Sequence, residues 1–380
     1  MRVTSVFALP LTFVCLVACG GDGGSTAADG GVAPSAAGVL PAGSTTPGRG
    51  VLRGAWWRHP AAANQSRLIS VEESDSGDRG YNVYNAEGES IRVDSEGTLS
   101  LFSGNGVAGP VDVDVIYNFA FADGPGTLVL GADAGDGTLD LLEMDEVVGD
   151  LRFPTGTIGN VPGLPVDTTA TLTGVCGYRS GDKFYAFVLA GTEILMYDLF
   201  QNRAENPSGT LVRQFESAAP ASGCVVDGQL GNLHVAIGAM GIQTFEAGVS
   251  GSADGTIRNP RNAFFGGAVD VDFYQTRSRG GHLLVASRDD GVVAILNGTT
   301  LEYVQNDRFA GVPTVDVQPA TRTTGVSVIN AEISTSLAGA VAVVDASSGV
   351  GTSFVLTSWG TLTGNFTLAE DQGFDPRLER

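Results

Sequence analysis

Ser180-Gly181-Asp182-Lys183-Phe184-Tyr185-Ala186-Phe187-Val188 begins on a Gly-Asp turn and runs straight into an apolar, aromatic-rich stretch. Aromatic and β-branched side chains suit a pleated surface, and Gly with Asp marks a reversal of the chain. The same wording recurs in both directions. Gly80-Tyr81-Asn82-Val83-Tyr84, Val111-Asp112-Val113-Asp114-Val115, Thr127-Leu128-Val129-Leu130, Asn232-Leu233-His234-Val235-Ala236 and His282-Leu283-Leu284-Val285-Ala286 all have strand length. Turns at Ala86-Glu87-Gly88, Ser95-Glu96-Gly97, Gly135-Asp136-Gly137 and Asp289-Asp290-Gly291 separate such runs. No long segment carries the helical period, so the chain reads as all-β. A strand leading to a second strand with an aromatic or aliphatic end repeats as Phe184 to Tyr197, Leu233 to Phe245 and Leu283 to Leu296. The unit is roughly 45–60 residues, the size of a four-stranded propeller blade. About six units fill the body, which predicts a six-bladed β-propeller; a β-helix or a pair of sandwiches is the alternative.

Composition narrows what such a body can do. The 380 residues include 54 Gly and carry a formal net charge of −21, with Lys183 as the single lysine. At 43% hydrophobic the chain can build a core, while its negative field excludes nucleic acid as a partner. Residues 1–18 place Arg2 before an apolar run and end Leu16-Val17-Ala18 ahead of Cys19. That is a secretory signal with the box of a bacterial lipoprotein, and it makes Cys19 the lipidated residue. Residues 19–49 are rich in Gly, Ala, Ser and Pro and behave as a flexible tether. The expected organisation is therefore signal 1–18, tether 19–49 and folded body 50–380. The body would be held on a lipid membrane outside the cytoplasm, at the outer membrane or its periplasmic face. Two mature cysteines remain, Cys176 and Cys224. An oxidising compartment favours a disulfide, and two separate buried thiols are the alternative.

Several segments, in order, resemble the β-propeller phytases, secreted calcium-dependent phosphatases of inositol hexakisphosphate. They are Gly54-Ala55-Trp56-Trp57-Arg58-His59-Pro60, Val113-Asp114-Val115-Ile116-Tyr117-Asn118-Phe119, Gly174-Val175-Cys176-Gly177-Tyr178-Arg179-Ser180, Ser222-Gly223-Cys224-Val225-Val226-Asp227 and the closing Asp375-Pro376-Arg377. The resemblance implies a six-bladed propeller, a Cys176–Cys224 disulfide, and phosphate-monoester hydrolysis of phytate with bound calcium. Calcium ions in that chemistry bridge an anionic substrate to an acidic protein and activate water.

Most positions that the resemblance makes calcium ligands are substituted. Paired aspartates of the opening element fall at Leu52 and Arg53, and a carboxylate before the second Cys becomes Ser222. Further acidic runs align with Ile237-Gly238-Ala239, Gly266-Gly267-Ala268-Val269 and Pro313-Thr314-Val315-Asp316, the last keeping only Asp316. What remains is a set of Val-Asp-Val aspartates: Asp112 and Asp114, Asp270 and Asp272, and Asp316. The strand period puts each pair on one face. Either they converge on the channel and bind calcium, or they face solvent at the rim. Carboxylates gathered together require a cation or an arginine as companion.

Other candidates read as structure. Trp56 and Trp57 are expected in the core rather than on a sugar-stacking surface, His234 is expected to be structural, and Asp133 to Asp140 reads as a solvated hairpin tip rather than an Asp-rich calcium turn. Two functions follow: a propeller with reduced or lost hydrolysis that binds an inositol phosphate or a protein, or an active phosphatase with a rearranged metal shell. A purely structural surface protein is a third.

Overall fold

Alternating apolar runs closed by Gly turns become antiparallel meanders, in which strands pair with the next in sequence except that Gly163–Pro165 pairs with Thr138–Met144. The structure, a computed structural model, describes residues 50–74, 77–92, 101–103, 107–154, 163–202, 206–258, 266–277, 280–288, 291–308, 322–334, 337–345, 353–363 and 374–377. The described strands form six sheets in chain order: blade 1 over 50–84, blade 2 over 110–165, blade 3 over 172–216, blade 4 over 223–258, blade 5 over 268–308 and blade 6 over 323–358. The innermost strand of each blade is its first: Gly50–Trp57, Pro110–Phe121, Leu172–Ser180, Gly223–Asp227, Ala268–Gln275 and Thr323–Ser334. Each inner strand lies beside the next, and that of blade 6 lies beside that of blade 1, so the ring closes into a six-bladed propeller.

Six apolar clusters hold the ring, one at each blade junction. Between blades 2 and 3, Leu128, Leu130 and Leu139 meet Leu172, Val175 and Val188. At the seam between blades 6 and 1, Trp56 and Leu68 meet Ile329, Val344 and Phe354. Strands buried on both faces read as near-continuous apolar runs, which is why Leu128-Val129-Leu130 shows no alternation. Trp56 and Trp57 are core residues, with Trp57 donating its indole N–H to Thr127 Oγ1 at 3.2 Å. His234 is buried on the ring of Phe273 and bonded to Thr244 Oγ1 at 2.9 Å, as a structural histidine would be.

The hairpin between Asp133 and Asp140 departs from the expected solvated tip. Asp136 at the tip is exposed, but Asp133 and Asp140 are fully buried. Asp133 accepts the amides of Ala108, Gly109, Gly135 and Asp136, so its charge is solvated by backbone instead of water. Asp140 accepts the hydroxyl of Tyr81, which reaches over from blade 1, at 2.8 Å. That reach needs Gly131, where a Cβ would stand 1.7 Å from the tyrosine oxygen. Burial, with the charge of Asp133 beside it, pushes the Asp140 carboxyl up to about 8 despite the Tyr81 hydrogen bond.

Candidate functional site

The inner strands enclose a channel along the ring axis with a cavity of about 190 Å³, lined by Asp112, Asp114, Asp270 and Asp272 among apolar neighbours. Alternation places both aspartates of each Val-Asp-Val run toward the axis, as the strand period requires. Blades 2 and 5, which carry them, stand opposite one another in the ring.

Each carboxylate accepts two amides, one from its own strand and one from the next blade. Asp112 takes the Val113 N–H at 2.9 Å and, across the junction, the Val175 N–H at 2.9 Å. Asp114 takes Val115 at 2.8 Å and Gly177 at 2.7 Å. Blade 5 repeats the pattern: Asp270 accepts Val326 at 3.0 Å, and Asp272 accepts Phe273 at 2.7 Å and Val328 at 2.6 Å. Inner strands of neighbouring blades splay apart and cannot share a regular ladder. The aspartates bridge that gap, satisfying amides that would otherwise be buried without partners.

The junction between blades 3 and 4 uses sulfur instead. Cys176 and Cys224 form a disulfide between the two inner strands, with Cα atoms 5.7 Å apart. Thr173 Oγ1 adds a hydrogen bond to the Ala221 carbonyl at 2.8 Å.

Burial sets the electrostatics. It pushes Asp114 up to about 6 and Asp272 up to about 7, with the amide hydrogen bonds pulling the other way. Asp112 is also raised, by burial and then by the charge of Asp270; Asp270 is raised by burial and held down by Arg53. Arg53 Nε lies 3.7 Å from Asp270 Oδ2, and its charge pulls both Asp270 and Asp112 down against the push of burial.

Calcium needs six to eight oxygens around it. Here the channel carboxylates are turned onto backbone amides, and among the described residues no three His, Cys, Asp or Glu side chains gather closely enough to hold a metal ion. These residues, as arranged, do not fit a calcium shell. Asp316 and Cys19 lie outside the described residues.

Three features of the hub escaped sequence reasoning. Arg53, read only as a lost ligand, is the companion that the clustered carboxylates required. Tyr117 accepts the Arg58 N–H at 2.9 Å and donates to the Trp56 carbonyl, tying blades 1 and 2. Pro376 lines the channel, where Asp375 pairs with Arg58 at 2.9 Å and with Arg377 at 2.7 Å. Asn118, at φ 55°, donates its side-chain amide to the Arg377 carbonyl at 2.6 Å.

The sequence matches the family described as Phytase over residues 45–372. The chain belongs to the phytase family. Members of this family generally depend on calcium. No curated protein matches the chain. Among solved structures it is similar to the Aleuria aurantia lectin described as a six-bladed β-propeller with a novel fucose recognition mode, at 11% identity and a TM-score of 0.50, covering 82% of this chain and 96% of the lectin. A mutant of the same lectin with alpha-methyl-L-fucoside aligns at 11% identity and a TM-score of 0.49, over 83% of this chain and 97% of that one. At such identity the likeness concerns the fold alone.

Proposed function

We propose that this phytase-family propeller has reduced or lost phytate hydrolysis and serves as a binding domain of the cell envelope, for an inositol phosphate or a protein partner. One observation carries this reading: the channel carboxylates are spent on bridging blades, each accepting amide hydrogens, and Arg53 stands in the hub as cation. A polyphosphate is cleaved by this chemistry only where divalent ions neutralise its charge and activate water. Cys19, at the end of a lipoprotein box, would tether the body to the outer membrane or its periplasmic face. The tether supports this placement because 19–49 is too polar and too rich in Gly to build a core.

Purified protein with phytate and millimolar calcium is expected to release no phosphate above the buffer blank. Calcium-dependent release that Asp114→Ala abolishes would overturn the reading and favour the second one. In that second reading the phosphatase is active, and its rearranged calcium shell uses Asp112, Asp114, Asp270, Asp272 and Asp316. Its support is the channel itself, where four carboxylates face a single ion-paired guanidinium. Anchoring is tested separately: the full chain is expected to partition into detergent after expression in a bacterium that lipidates proteins, and Cys19→Ser to remain in the aqueous phase. Equal partitioning of both would remove the anchor from the proposal.

A further inference from the structure

Arg53 belongs to blade 1, but its partners do not. Its Nη2 donates to the Ser222 carbonyl at 3.1 Å, just ahead of the inner strand of blade 4, and to the Val269 carbonyl at 2.9 Å on the inner strand of blade 5. Its Nε faces Asp270 Oδ2 at 3.7 Å. Blade 1 neighbours blades 2 and 6 in the ring, so this side chain crosses the hub to reach its partners. Close approach is built in from two sides. A Cβ at Gly325 of blade 6 would lie 3.2 Å from Arg53 Nη1, and one at Gly223 of blade 4 would lie 2.2 Å from Asp270 Oδ1. The Arg53 side chain is 12% exposed.

Two carbonyls and a carboxylate from two blades thus converge on one positive centre, with Asp112 within the reach of its field. Oxygen sets of this kind attract hard divalent cations. A guanidinium meets the same need as a planar fork that is always charged and cannot dissociate from the chain.

We propose that Arg53 is a built-in substitute for a divalent cation, tying blade 1 to blades 4 and 5 and freeing this part of the hub from any need for metal. The claim concerns how the ring is held and stands whether or not phytate is hydrolysed. A purely hydrogen-bonding role makes a different forecast, because it gives no reason for a variant to acquire a response to cations.

Thermal unfolding of the wild type, Arg53→Lys and Arg53→Gln, each in EDTA and in millimolar calcium or magnesium, separates the two. Wild type and Arg53→Lys keep a positive charge and are expected to unfold at the same temperature in all three solutions. Arg53→Gln leaves the oxygens without a cation. It is expected to unfold at lower temperature in EDTA and to regain about 1–2 °C with either metal, the shift that about 1 kcal/mol of binding gives a folded body of this size. A gain in the wild type as large as in Arg53→Gln overturns the proposal, as does an Arg53→Gln protein indifferent to both metals. If Arg53→Gln does not fold in EDTA, recovery of folded protein on adding calcium supports the proposal. If neither metal recovers it, the proposal is overturned.

Discussion

The junction between blades 2 and 3 and the one between blades 5 and 6 carry the same Val-Asp-Val text and the same amide geometry, yet they differ electrically. Asp270 has the guanidinium of Arg53 beside it; among the described residues Asp112 makes no ion pair, and burial first and the charge of Asp270 second push it up against the weaker pull of Arg53. A repeated motif therefore fixes where the carboxyl groups point, while a residue from a distant blade sets which of them has an ion-pair partner. The Cys176–Cys224 junction makes the same point from another side, since a covalent bond there does the bridging that aspartates do elsewhere.

Removing one member from each side of this comparison gives the largest contrast. Asp270→Ala strands Arg53 and the Val326 amide, and breaking a buried pair costs about 3–5 kcal/mol. Asp112→Ala breaks no ion pair among the described residues and leaves the Val175 amide unpaired, costing about 1–3 kcal/mol. Urea unfolding of both variants measures the gap; equal losses would mean that Arg53 does not separate the two sites.

A smaller effect is expected from pH. Asp272 is raised to about 7 and Asp140 to about 8, so the folded protein keeps protons that the unfolded chain releases near pH ~4. Stability then falls as pH rises from there and stops falling above about 8. His234, lowered to about 4, works the other way, but only below about 6.5, where the unfolded imidazole takes up a proton that the folded one refuses. Between pH 6.5 and 8.5 the carboxyls act alone, and the unfolding free energy is expected to drop by about 2 kcal/mol. Asp140→Asn, which still accepts the Tyr81 hydroxyl, should flatten most of that drop. A wild-type stability that rises over this interval would contradict the assignment.

Strands and ring were legible because apolar runs of strand length, cut by Gly turns, recur at blade spacing, and the Val-Asp-Val period fixed a shared face for each pair. The partners of those faces were not legible. The Val175 and Val326 amides lie 63 and 56 residues from the aspartates that bind them, and Arg53 is 169 residues from Ser222. Local pattern carries no such distances. Asp133 and Asp140 misled for the opposite reason: their Gly-rich surroundings write a turn, and the Tyr81 hydroxyl that meets buried Asp140 comes from the neighbouring blade.

The first and last described blades meet at a seam filled, among the described residues, by an apolar cluster, whereas the sulfur bridge sits halfway round the circle. Mechanical load that pries the circle open at the seam would peel blades off in both directions. It would meet its last resistance at blades 3 and 4, which stay cross-linked to each other until a reductant arrives.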